Sequence, residues 1–115
     1  MSAINLEQRY EDLAKAIVIQ AADDYKRSRF ILDTIDLRKY KDTESRYIAI
    51  ERATRELKKV EVFFHTEWFN ELSNLDGKKA FEALKETYEK EYYPTRIAEF
   101  LDGNKNGRVR VYEHD

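Results

Sequence analysis

The sequence contains no cysteine, only three glycines, a single proline and two histidines, His65 and His114, in 115 residues. Without cysteine there is no disulfide, no thiolate nucleophile, no iron–sulfur cluster and no cysteine-ligated zinc, and the composition suits a reducing compartment. Charge of one sign is also missing. Twenty-one Lys and Arg face 23 Asp and Glu, for a formal net charge of −2 and a pI near 5.8. A protein that holds nucleic acid chiefly by neutralising phosphates needs a basic excess, so bulk nucleic-acid binding is not expected. Long apolar runs are lacking too: the longest near the start covers residues 16–19. That is far short of the about 20 apolar residues of a spanning helix, and shorter than a signal-peptide core, so neither export nor a membrane span is expected.

What is present is charge and helical periodicity. The chain is 38% charged and 42% hydrophobic, and its length fits one domain with a narrow core. All three glycines and the proline fall after residue 76, which leaves the first two thirds almost without helix breakers. We expect an all-α fold. Its predicted parts are a long antiparallel helical hairpin, two or three shorter helices, and a short strand-like C-terminal tail. The helical domain should cover residues 1–101, with residues 102–115 forming a turn and tail.

The first helix is marked by Asn5 as a cap, Gln8 in the capping-box position, and Leu6, Tyr10, Leu13, Ile17, Ala21 and Tyr25 at spacings of three or four. It should run past Ile31 and Leu32, with Asp42 and Thr43 offering the next capping chemistry. Ile50, Ala53, Leu57, Val60 and Phe64 form a coiled-coil-like seam on the second helix. Thr66 can cap a short third helix through Trp68, Phe69 and Leu72. A fourth helix carries Ala80, Phe81, Leu84 and Tyr88 on one face, and Pro94 should kink or restart it. A last stretch through Ile97, Phe100 and Leu101 should end at DGNKNG, before the alternating tail RVRVY.

Four groups of residues could carry chemistry. Asp102, Asn104, Asn106, Arg108 and Glu113 fit the spacing of a calcium-binding EF-hand loop, with Gly107 at the turn, Arg108 at the backbone-donating position and Glu113 as the bidentate ligand. Arg110 stands where an oxygen is usual, and neither a second loop nor an exiting helix follows. An Asn/Gly-rich turn is therefore the preferred reading, and no cofactor is expected. Phe63, Phe64, Trp68 and Phe69 concentrate four of the fifteen aromatic residues. We expect Trp68 in the core, with a stacking surface for a base or partner as the alternative. Gln20 and Asp24 lie one turn apart near the inward stripe of the first helix. They should either join a buried hydrogen-bond network with Trp68, Thr66 or a freed helix-end amide, or form a polar pocket wall beside Tyr25.

The fourth group is basic. Across residues 26–41, Lys26, Arg27, Arg29, Arg38, Lys39 and Lys41 outnumber Asp33 and Asp36. Such a run is usually a solvated helix face, and here it is also the candidate for docking phosphates or an acidic protein surface, with Arg27, Arg29, Arg38 and Lys39 foremost. No nucleophile–base pair, phosphate-cradling glycine loop or usable carboxylate cluster accompanies it, so no enzyme activity is expected.

Two stretches also carry a resemblance. Gln20, Ala21, Asp24 and Tyr25 match a Gln-Ala-x-x-Asp-Tyr helix. Phe63, Phe64, Thr66, Trp68, Phe69, Leu72, Asp76 and Gly77 match an aromatic segment of the form F-F-x-[ST]-x-W-F-x-x-L-x-x-x-D-G. In both, the chain resembles a diffuse group of small helical proteins encoded by phages and integrative elements of Gram-positive bacteria. The resemblance covers roughly residues 14–84, leaves out everything from Tyr93 onward, and implies a helical fold and a mobile-element setting without an active site. The expected function is therefore to bind and block a host protein in the bacterial cytoplasm, best as an anti-defence inhibitor of the anti-CRISPR kind. The alternative is an oligomer that sequesters a nucleotide signal of a host defence pathway between Tyr/Trp platforms, Tyr25 and Trp68 among them, and the basic side chains of residues 26–41. A homodimer is expected, because Tyr40, Tyr47, Tyr92 and Tyr93 add more aromatic surface than one slender domain is expected to cover.

Overall fold

A computed structural model of the chain describes residues 6–105. They form α1 (Leu6–Asp33), a 3₁₀ turn (Ile35–Leu37), α2 (Thr43–Phe64), α3 (Glu67–Ser73), α4 (Gly77–Thr87), a π turn (Tyr88–Tyr92) and α5 (Tyr93–Lys105). The fold is all-α, with no strand among the described residues. The Asn5 cap and the strand-like tail lie outside the described residues. The last helix does not end at DGNKNG as expected: Asp102, Gly103 and Asn104 continue α5 to Lys105.

The helix boundaries follow from side-chain chemistry. Thr34, fully buried, closes α1: its hydroxyl donates to the Phe30 carbonyl (2.6 Å) and accepts from Arg38 Nε (2.9 Å). The Ser45 amide donates to Asp42 Oδ1 at 2.7 Å and so starts α2, while Arg46 reaches back to Asp36 at 2.6 Å across the connection. Thr66 Oγ1 accepts from the Phe69 amide to start α3. Asn74 ends α3 in the left-handed conformation (φ 57°), where its amide bonds the Asn70 carbonyl. Asp76 then caps α4 by accepting from the Lys78 and Lys79 amides.

Gly77 is required by a close approach. A Cβ at that position would stand 1.8 Å from the Phe64 carbonyl oxygen, so only glycine lets the start of α4 cross the end of α2. Pro94 also acts as expected from its missing amide. It cannot donate to the carbonyl four residues back, and the turn just before it widens into a π segment in which the Tyr93 amide bonds Tyr88.

α1 packs chiefly on α2. Residues 16–24 of α1 share a groove with residues 56–63 of α2, and residues 24–31 share one with residues 52–59. The core lies mostly towards one end, where Tyr25, Phe30, Val60, Phe64, Phe69, Phe81, Leu84 and Tyr88 are buried against one another. Phe64 and Phe69 stack with centroids 4.6 Å apart, and Tyr25 meets Phe81 and Tyr88 edge-on at 5.6 and 6.1 Å. Of the seam expected on α2, Ala53, Val60 and Phe64 are buried and Ile50 and Leu57 half-buried. On α1 the stripe departs from expectation at Leu13, which is 61% exposed, because its neighbour Ala14, at 2%, takes the inward position on that turn.

Candidate functional site

The basic run divides once the chain folds. Arg29 is largely covered: it donates to Glu89 (2.9 Å) and to the Tyr25 hydroxyl (2.8 Å), and its guanidinium sits 4.4 Å from the centre of the Tyr88 ring. Arg38 bonds Thr34 and lies over the Phe30 and Phe100 rings at 5.9 and 5.2 Å. Both hold helices together, which corrects the expectation of a solvated basic face open to a partner. Lys26 lies over the Tyr92 ring, Arg27 is exposed and pairs with Asp24, and Lys39 and Lys41 are exposed. The charges are placed apart because Arg29 points towards α4 and the π turn, whereas Arg38 is already beyond α1.

Tyr25 is corrected in the same sense. It is buried in the core, where burial raises its phenol above the ordinary value despite the opposing pull of Arg29. Its neighbour Tyr88 is pushed much further, by burial first and then by its bond to Asp33 (2.7 Å). These are structural groups, with no open face for a ligand to stack on.

Trp68 is the opposite correction. Instead of filling the core it is 51% exposed. The helical period decides this: α3 is one short helix whose next residue, Phe69, takes the inward position against Phe64, so Trp68 must point elsewhere. It rests edge-on against Phe63, 5.5 Å between centroids. Together the two rings close the end of a groove of about 390 Å³ between α1 and α2. Ala16, Ile17 and Ala21 form its apolar wall on α1, and Val60 with Phe63 forms the wall on α2.

Gln20 and Asp24 stand on the rim of this groove, in the pocket-wall alternative rather than the buried network. Gln20 Nε2 donates to Asp24 Oδ1 at 2.9 Å, and Arg27 donates to the same oxygen. Lys59 and Glu56 face each other at 4.0 Å on the opposite rim. Thr66 caps α3 and does not reach the pair. Gln20, Asp24 and Trp68 therefore converge, whereas Tyr25, Arg29, Arg38 and Lys39 do not join them. No family model, no curated protein and no solved structure matches this chain.

Of the calcium-loop residues, Asp102 and Asn104 are helical, and Asn106, Arg108 and Glu113 lie outside the described residues. Among the described residues no three His, Cys, Asp or Glu side chains gather as a metal would need, and no helix is long and apolar enough to cross a membrane. His65 stands apart from any such group, its Nδ1 2.7 Å from the Glu61 carbonyl and its ring against Phe81.

Sequence reasoning missed two features. Lys59 and Glu56 belong to the Trp68 groove, and only the α1–α2 register could have joined them to Gln20. The outer side of α2 holds a second groove of about 790 Å³, with Tyr47, Glu51, Thr54, Lys58 and Val62 along it. Their four- and three-residue steps were a legible signal, hidden because three of the five are polar.

Proposed function

We propose that this chain works by occupying a partner's surface: a non-enzymatic protein that docks a host protein on the Trp68 groove and blocks it. The observation that carries the reading is Trp68 itself, a half-exposed aromatic seated on a second ring and surrounded by hydrogen-bonded polar side chains. Interface hot spots have that composition, a large anchor with a polar surround that excludes water. An antiparallel hairpin of α1 and α2 would hold the groove rigid, so that little conformational freedom is lost on binding. The resemblance to proteins of phages and integrative elements makes the bacterial cytoplasm the setting and an anti-defence inhibitor, of the anti-CRISPR kind, the specific form.

Sequestration of a nucleotide signal is the second reading, favoured by the same exposed indole as a stacking platform. One feature weighs against it: Arg29 and Arg38, two of the arginines expected to dock phosphate, are engaged inside the molecule.

The test is affinity capture from host lysate with the wild-type chain and a Trp68→Ala variant, followed by native mass spectrometry. The expected result is a protein bound in fixed stoichiometry by the wild type. The variant, melting within a few degrees of it, should bind more weakly by about 2 kcal/mol or more. A nucleotide retained by the wild type and lost from the folded variant would instead establish the second reading.

A further inference from the structure

We infer that the outer face of α2 is a self-association surface, on which a second copy of this chain lays its own α2 antiparallel about a two-fold axis near the Thr54–Arg55 peptide. One stripe of that face is self-complementary in this arrangement, with Arg55 and Lys59 beside it. Along the stripe Tyr47, Glu51, Thr54, Lys58 and Val62 the chemistry reads apolar, acidic, neutral, basic, apolar. Reversing one copy against the other brings Tyr47 to the partner copy's Val62 and Glu51 to its Lys58, and these contacts occur twice by symmetry. A parallel pairing in register would set Glu51 against Glu51 and Lys58 against Lys58.

The burial and pairing of the side chains agree. Tyr47 and Val62, at the two ends of the stripe, are 66% and 53% exposed, which leaves apolar surface uncovered at both places where the reversed copy supplies its own. Lys58 has no ion-pair partner among the described residues, so its charge is available to Glu51 of the other copy. Arg55, which comes near its own counterpart at the axis, is neutralised by its 2.6 Å bond to Glu51. Lys59 and Phe63 border both grooves, but Trp68, Gln20 and Asp24 are not part of this one and Glu51, Thr54 and Lys58 are not part of the other, so variants at those positions test the two surfaces separately. From Tyr47 to Val62 the contact runs about 22 Å at 1.5 Å per residue. A single helix face offers less than the about 800 Å² per partner of a standard interface, so the dimer dissociates on dilution.

The absence of cysteine gives a direct test. A full-length Thr54→Cys variant brings its two thiols together at the axis and should form a disulfide-linked dimer on mild oxidation. An Asn70→Cys variant, changed at an exposed position on α3, should remain monomeric under the same conditions. Sedimentation equilibrium then tests the register. Glu51→Lys and Lys58→Glu, each folded by circular dichroism, should each weaken the dimer at least about tenfold, and an equimolar mixture of the two should recover to near the wild-type affinity, because opposite charges face each other again. A wild-type chain that sediments as 13.8 kDa at every accessible concentration overturns the inference. So do equal crosslinking at both cysteine positions and a mixture that binds no tighter than either variant alone.

Discussion

The two flanks of this molecule are built from different materials. At the end formed by the C-terminal half of α2 with α3, α4 and the π turn, Phe64, Phe69, Phe81 and Tyr88 are buried ring against ring, and Phe69 has no exposure at all. On the open flank, formed by the outer faces of α1 and α2, Leu13, Ile19, Tyr47 and Val62 are exposed, and several buried positions of the two helices are small, Ala14, Ser28, Ala49 and Ala53. Small side chains let two helices approach but bury little apolar area, at about 25 cal/mol per Å², so they contribute little stability. The aromatic end therefore holds the fold together, and the open flank is where large side chains remain free to meet something else. The molecule is also elongated: its radius of gyration is 17.5 Å, against about 13 Å for a compact chain of 100 residues.

The largest effect expected from this contrast comes from truncating one apolar side chain on each flank. Phe69→Ala empties a site packed by Phe63 and Phe64 and should cost about 4 kcal/mol in chemical denaturation. Leu13→Ala, on the open flank, should stay within about 0.5 kcal/mol. Similar losses at both positions would show that the core extends along the whole α1–α2 pair.

An alkaline titration sharpens the comparison through the buried phenols. Tyr88 and Tyr25 both have pKa values raised in the folded chain, from an ordinary value of 10.0, with burial as the largest cause. Below pH 10 both are neutral whether the chain is folded or not, and their contribution is complete. As the pH rises above that value the unfolded chain releases protons that the folded one retains, so stability falls. Tyr88→Phe should flatten this fall above pH 10, at the expense of about 1 kcal/mol near neutrality for the lost bond to Asp33.

A further difference separates the arginines from the lysines of the basic run. Arg29→Gln breaks bonds to Glu89 and Tyr25 and uncovers the Tyr88 ring, and should cost about 1.5 kcal/mol. Lys39→Gln removes an exposed charge and should change the melting midpoint negligibly, within about 0.5 kcal/mol. Equal effects would mean that the run behaves as one solvated face after all.

Local chemistry was readable in the sequence by itself because it acts over one helical turn. The caps at Asp42 and Thr66 are formed by side chains within three residues of the amides they bind, and the apolar spacing of Phe81, Leu84 and Tyr88 marks one face of one helix. The scarcity of glycine and proline made an all-α chain the natural expectation for the same reason. Which of several equivalent stripes turns inward was decided only by tertiary structure, since α3 has room to bury one of its adjacent aromatics and the Phe64 ring selects Phe69 over Trp68. The roles of the charges were decided there as well. Arg29 and Lys39 look alike along the chain, but Glu89 lies 60 residues from Arg29, and the bond between them exists only because α4 and the π turn fold back over α1.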